Sequence, residues 1–185
     1  MVPEQFIEEL KARTQFGAAE AEQLTQARGW GEALAPEAAR RFYAAVFADA
    51  AMKQIIEAAG SPVARLEQTL MAWFAELFHG IDEWGTQYAQ RRWRIGLVHV
   101  RIGVRPAHVV PAMSAIHVFL CERVLADGKS IELLTALMKI TAVDLAFIEQ
   151  AYYEVSRSSV QQETGWSSAL FERLVSHGVQ QLEGV

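Results

Sequence analysis

QRRWRIGLVHVRIGV, residues 90–104, is the stretch on which the reading of this chain turns. Wound as a helix, it has two apolar faces. Trp93, Leu97, Val100 and Val104 follow one another at steps of four, three and four, the spacing of a face turned to a core. His99 lies on the other face, near Ile95 and Ile102, with Gly96 three residues before it and Gly103 four residues after. Each glycine costs a helix interior about 1 kcal/mol against alanine. Two readings follow. The glycines clear a flat strip for something wide and planar, with the imidazole reaching into it. Alternatively, they allow close helix packing or end the helix, and His99 is a core histidine with a satisfied partner. His117, on the face of Val110, Met113, Leu120 and Cys121, is a rival ligand by the same logic, whereas His108, beside a helix start, reads as capped or solvated.

Working outward, apolar residues recur at three and four almost throughout, and no segment reads as a strand. Helices are expected over 3–16 and 18–31, then from Pro36 at a helix start (PEAARRFYAAVFAD), and over 51–59. Ser61-Pro62 opens a helix striped with Leu66, Leu70, Trp73, Phe74 and Leu77. One long helix is expected from Asp82 to Gly103. After the break at 104–106, a helix carries Val109, Met113, Ile116, Leu120 and Val124 on one face. Ser130 caps the longest helix, 131–157. A polar break at 161–165 and a last amphipathic segment follow. The fold class is all-α, with seven to nine helices and short connections.

The 185 residues are 51% hydrophobic and 21% charged, with net charge -5, which suits one globular domain and offers no basic field for nucleic acid. The arginines 91, 92, 94 and 101 cluster, as the wet side of a helix or as partners for carboxylates. A single cysteine, Cys121, and no apolar signal core lead to the expectation of a cytoplasmic protein. The longest uncharged run, 106–121 with Arg105 before it, is short of the ~20 apolar residues a membrane span needs. No phosphate loop, dinucleotide fingerprint, HExxH or CxxC occurs. Acidic residues look spread over solvated faces, with no buried carboxylate pair.

The stretch RIGLVHVRIGVRPAHVV (94–110) resembles the globin-coupled sensors and protoglobins, in which a histidine shortly before an Ile-Gly pair binds haem iron. The resemblance implies a globin-like fold with an extra N-terminal helix and a C-terminal linker helix. It makes His99 the iron ligand of a haem b, with Ile95 and Ile102 beside it. Phe42-Tyr43 resembles the family's aromatic pair whose tyrosine hydroxyl faces bound gas. Leu66 resembles its distal leucine, and Thr69 a position where some members carry a second hydroxyl. The match spans roughly residues 18–157, and Ala107-His108-Val109 departs from the bulky aromatics usual after the proline.

Together these readings lead to a haem-based O2 sensor, able to take CO and NO, rather than an enzyme. Residues 1–160 are expected to form the sensor domain and 161–185 a transmitter segment. The resemblance implies a homodimer through the last two globin helices, and an output such as a diguanylate cyclase or chemotaxis transducer on a longer chain or on a partner. Two other classes stay open: a globin reacting with NO or peroxide, and a haem-free helical interaction module.

Overall fold

In a computed structural model, residues 1–182 are described, and among them every regular element is helical. The helices are α1 (Pro3–Thr14), α2 (Ala18–Gln26), α3 (Arg28–Ala48), α4 (Ala50–Ala58), α5 (Val63–His79), α6 (Thr86–Arg101), α7 (Pro106–Ala126), α8 (Ile131–Thr164) and α9 (Ser168–Leu182). Local chemistry marks their ends. The Asp49 carboxylate accepts the Ala51 N–H at 2.8 Å to start α4, and Ser130 Oγ accepts the Leu133 N–H at 3.1 Å to start α8. Pro62 and Pro106 stand where a missing N–H costs nothing.

α3 packs along α5, while α8 runs through the molecule and takes α6, α7 and α2 against it. The buried residues fall into two clusters. The larger is built on Phe74, Leu77, Phe78, Leu120, Leu137 and Phe147. The smaller, of Val46, Met52, Ile56, Val104, Val109 and Ile148, lies between α3, α4, α6, α7 and α8. α7 is long and apolar enough to cross a membrane by composition. Its Val109, Met113, Ile116, Leu120 and Val124 face is nevertheless packed in the core, as its periodicity requires.

Four expectations are corrected. α3 begins at Arg28, eight residues before Pro36, which lies inside it. The proline forfeits one backbone bond, but Leu34, Ala35, Ala38 and Ala39 are buried around it, and that packing carries the helix through. The helix expected from Asp82 instead opens as a short 3-10 turn, Ile81–Trp84, with α6 starting at Thr86. Asp82, Glu83 and Trp84 hold left-handed φ of 49°, 56° and 59°. The Asp82 carboxylate supports this turn by accepting the Gln87 N–H at 2.7 Å. α8 runs on through 161–164 and ends only at Gly165, whose φ is 71°. Finally, the Trp93–Leu97–Val100–Val104 face is not the core face of α6. Leu97 is 36% exposed, and the buried residues are Tyr88, Ala89, Arg92 and Gly96.

The two glycines beside His99 do backbone work. A Cβ on Gly96 would lie 2.9 Å from Phe147 O and 2.8 Å from Ala151 Cβ, so its absence lets α6 sit directly on α8. Gly103, at φ 77°, ends α6: its N–H donates to Val100 O and the Val104 N–H donates to His99 O, both at 3.1 Å. This is the paired bonding of a Schellman cap, so His99 stands in the final turn of α6.

Gly96→Ala is therefore expected to lower stability by about 1–2 kcal/mol, since overpacking against a fixed carbonyl outweighs the gain in helix propensity. Gly29→Ala, with open space at its Cβ, should leave stability unchanged or slightly raised. Urea unfolding of the two variants gives the comparison, and equal midpoints would contradict the close-approach account.

Candidate functional site

The smaller cluster surrounds a cavity of about 370 Å3, within the range typical of cofactor sites. Helices α3, α4, α5, α6, α7 and α8 wall it, mostly with aliphatic and aromatic side chains. All seven residues singled out in the sequence line it. Phe42 and Tyr43 come from α3, Leu66 and Thr69 from α5, Ile95 and His99 from α6, and Ile102 from the residue that caps α6.

His99 is held by its own helix. Its Nδ1 lies 2.9 Å from Ile95 O, a hydrogen acceptor only, so Nδ1 carries the proton and donates it. Nε2 is then the lone-pair nitrogen, and it meets no hydrogen-bond partner among the described residues. Burial pushes the imidazole pKa down, which keeps the ring neutral. A neutral imidazole, oriented by an Nδ1–H bond to a backbone carbonyl, is the form that ligates a metal. The rival histidine is placed differently. His117 lies outside the cavity wall, with Nε2 2.9 Å from Thr141 Oγ1. The Thr141 hydroxyl already donates to Leu137 O at 2.8 Å, so the His117 ring is the donor there. His108 lines the cavity but is a cap, its Nδ1 accepting the Arg105 N–H at 3.2 Å.

On the α3 side, Tyr43 is half-buried between Phe42, edge-on at 5.1 Å, and Phe47, stacked at 5.7 Å. Its hydroxyl meets no protein partner among the described residues. Burial, with the charge of Glu67, pushes its pKa up to about 12, so the phenol remains a proton donor at neutral pH. Thr69 reaches the cavity with its proton already committed, donating to Arg65 O at 2.9 Å. Tyr43 is thus the better placed donor of the two.

The largest omission in the sequence reading is a buried ionic cluster behind one end of the cavity. Arg92 is 1% exposed. Its Nη1 donates to Glu76 Oε2 at 2.6 Å, its Nε lies 2.8 Å from Asp144 Oδ2, and its guanidinium stacks over the Tyr88 ring at 4.0 Å. Asp144 also accepts the Trp73 indole N–H and the Tyr88 O–H, each at 2.7 Å. The expectation of acidic residues on solvated faces therefore fails at Glu76 and Asp144. A signal was present: Asp144 is the one charged residue in ITAVDLAFI (140–148), and Glu76 the one in LMAWFAELF (70–78).

A cavity with aliphatic walls, one neutral imidazole bearing a free Nε2, and one unpartnered phenol O–H suits an iron porphyrin. The apolar faces would take the macrocycle, His99 Nε2 would hold the iron, and the iron would supply reversible binding of a small gas. The chain is similar to the globin domain of a Geobacter sulfurreducens globin-coupled sensor, with a TM-score of 0.71 and 23% identity over 78% of this chain and 96% of that one. At that identity the likeness establishes the globin fold. No curated protein matches the chain. A sequence profile of the Protoglobin family matches residues 4–158, and the chain belongs to that family of globins.

Proposed function

We propose that this globin binds haem b through His99 Nε2 and reports the presence of O2. The observation that carries the reading is the convergence, on one apolar cavity, of an imidazole whose Nδ1–H is fixed on Ile95 O and a phenol with no protein partner. Haem iron supplies reversible coordination of a diatomic gas. The chain's own residues do the rest. His99 holds the group on one side, and Leu66 and Phe42 exclude water on the other. The Tyr43 hydroxyl donates to a ligand that draws electron density, which favours O2 over CO. The role is a sensor's, with residues 1–160 as the gas-binding unit and 161–185 as transmitter toward an output of the diguanylate cyclase or chemotaxis-transducer kind, in the cytoplasm.

A homodimer through α7 and α8 belongs to the same proposal. Val110 and Val118 on α7, Leu125 near its end and Ile131 at the start of α8 are exposed, the last two at 77% and 66%. Exposed apolar side chains on these two packed helices favour an interface, which a twofold pairing would cover on both copies. Light scattering at micromolar concentration should report twice the 20.6 kDa chain mass; a persistent monomer removes this part of the proposal.

Two substitutions test the site. His99→Ala should keep its helicity by circular dichroism and lose the strong Soret absorption, recovered in part by added imidazole. Retention of a normal spectrum by His99→Ala, with its loss in His117→Ala, would overturn the assignment. Tyr43→Phe should speed O2 dissociation by roughly 10–100-fold, the worth of a hydrogen bond to a charge-bearing acceptor, and leave CO dissociation nearly unchanged. Equal acceleration of both gases in stopped-flow would mean that the phenol acts by bulk alone.

A further inference from the structure

Among the helices around the cavity, α4 is attached differently from the rest. It is nine residues long and packs chiefly on α3. Among the described residues, no hydrogen bond or ion pair ties 50–61 to another helix. The Asp49 carboxylate bonds the first turn of α4 itself, and Lys53 reaches only Glu57, one turn on. What holds α4 down is one apolar face. Met52 and Ile56, four residues apart, are 7% and 9% exposed and line the cavity, and Ile55 packs beside them. Residues 50, 51, 53, 54 and 57–60 are exposed.

Both ends of α4 are joints. Asp49, with extended φ of -87° and ψ of 114°, is the single residue between α3 and α4. Gly60 has φ 71°, and no atom lies within 4 Å of where a Cβ would stand. Ser61-Pro62 then leads into α5. A short helix fixed by apolar burial alone, between two such joints, belongs to the part of a fold that opens at least cost. The opposite walls are held otherwise, since Asp144 of α8 ties Trp73 of α5 and Arg92 of α6 by polar bonds. They stay in place when α4 moves.

α4 joins the helix that bears Phe42 and Tyr43 to the helix that bears Leu66 and Thr69, so it closes the cavity between them. We propose that α4 is a hinged lid over the gas side of the cavity, and that Met52 and Ile56 decide which molecules enter. Small neutral molecules pass at a slight opening. Bulky ones need both side chains withdrawn, and charged ones would have to cross an apolar gap. The proposal rests on the haem reading above.

Two measurements on the full chain test it. In the haem-loaded protein, CO and n-butyl isocyanide are mixed with the ferrous iron by stopped flow, as a small and a bulky neutral ligand of one metal. Met52→Ala and Ile56→Ala should each speed isocyanide entry by roughly 3–10-fold and CO entry by less. Asp49→Ala removes the cap of α4 without touching the cavity wall. It should raise the open population, and the entry rate of both ligands, by roughly fivefold, the worth of an N-cap. Amide exchange followed by mass spectrometry should show residues 51–59 exchanging well before the buried stretch of α8 at 136–148, and faster still in Asp49→Ala. Exchange of α4 as slow as that of α8 would overturn the lid. So would an Asp49→Ala protein whose α4 exchanges faster while both ligands enter at the wild-type rate, because the helix would then open without gating anything. Unchanged isocyanide entry in both Met52→Ala and Ile56→Ala would overturn the role of these side chains. A chain that takes up no haem removes the haem reading and this proposal with it, whereas a CO-binding chain with a slowly exchanging α4 removes the lid alone.

Discussion

A guanidinium held almost out of reach of water, between carboxylates from two other helices, is the constraint around which this globin is arranged. Charges taken out of water cost several kcal/mol each unless they are paired and their remaining hydrogen-bonding positions filled. Arg92 has its charge paired only when Glu76 of α5 and Asp144 of α8 are in place. Burial disfavours the charge on Asp144 and raises its pKa, against the pull of Arg92, Tyr88 and Trp73. Net stability is therefore not what such a cluster chiefly adds. Its strength is that few other arrangements of α5, α6 and α8 satisfy it, so it selects one packing over its near neighbours.

The cavity depends on that selection. Trp73 lines the cavity from α5, and its indole N–H is fixed on Asp144. Arg92 lines it from α6, and its Nε faces the same carboxylate. One side chain of α8 thus ties the helix that carries Leu66 and Thr69 to the helix that carries His99. Gly96, one turn along α6 from Arg92, lets α6 rest on the backbone of α8 without an intervening side chain. These contacts set the gap between two cavity walls by polar geometry and backbone contact. Aliphatic residues alone would fill such a gap differently with each repacking. A pocket that must keep room for a flat ligand needs walls that do not collapse together.

Most of the fold was legible in the sequence, because amphipathic periodicity survives wherever a helix has one buried stripe. The face of α7 from Val109 to Val124, the Ser130 cap and the Pro62 and Pro106 starts were readable on those grounds alone. Errors gathered where a tertiary contact overrode a local rule. Pro36 reads as a helix start and lies inside α3, since the alanines and leucine around it are buried against α5. Asp82 reads as helical and instead caps α6 from a left-handed turn. On α6 the apolar stripe was misassigned for a clear reason: the buried face contains an arginine and a glycine, residue types that every hydropathy rule sends to the surface or to a break. Asp144 and Glu76 were misread by the same logic, although each is an isolated charge in an apolar run. An isolated charge in such a run must find a partner, and a partner of opposite sign was waiting in the arginine cluster.

The glycines around His99 show how a candidate site can be located on an incomplete physical account. A strip cleared for a planar ligand was one reading, and close packing with helix termination was the other. The structure follows the second at both positions: Gly96 faces α8, and Gly103 adopts the positive φ that ends α6. The link to the cavity is nevertheless real, because it runs through the backbone. Ending α6 at Gly103 consumes the His99 carbonyl in the cap through the Val104 N–H, and it turns Ile102 and Val104 back into the cavity wall. Seating α6 on α8 at Gly96 fixes the axis from which the imidazole projects. Ile95 O then holds Nδ1 and leaves Nε2 as the available nitrogen. The Ile-Gly pair after the histidine is therefore informative for a mechanical reason: it ends the helix at the register that leaves His99 in the last turn, facing the cavity.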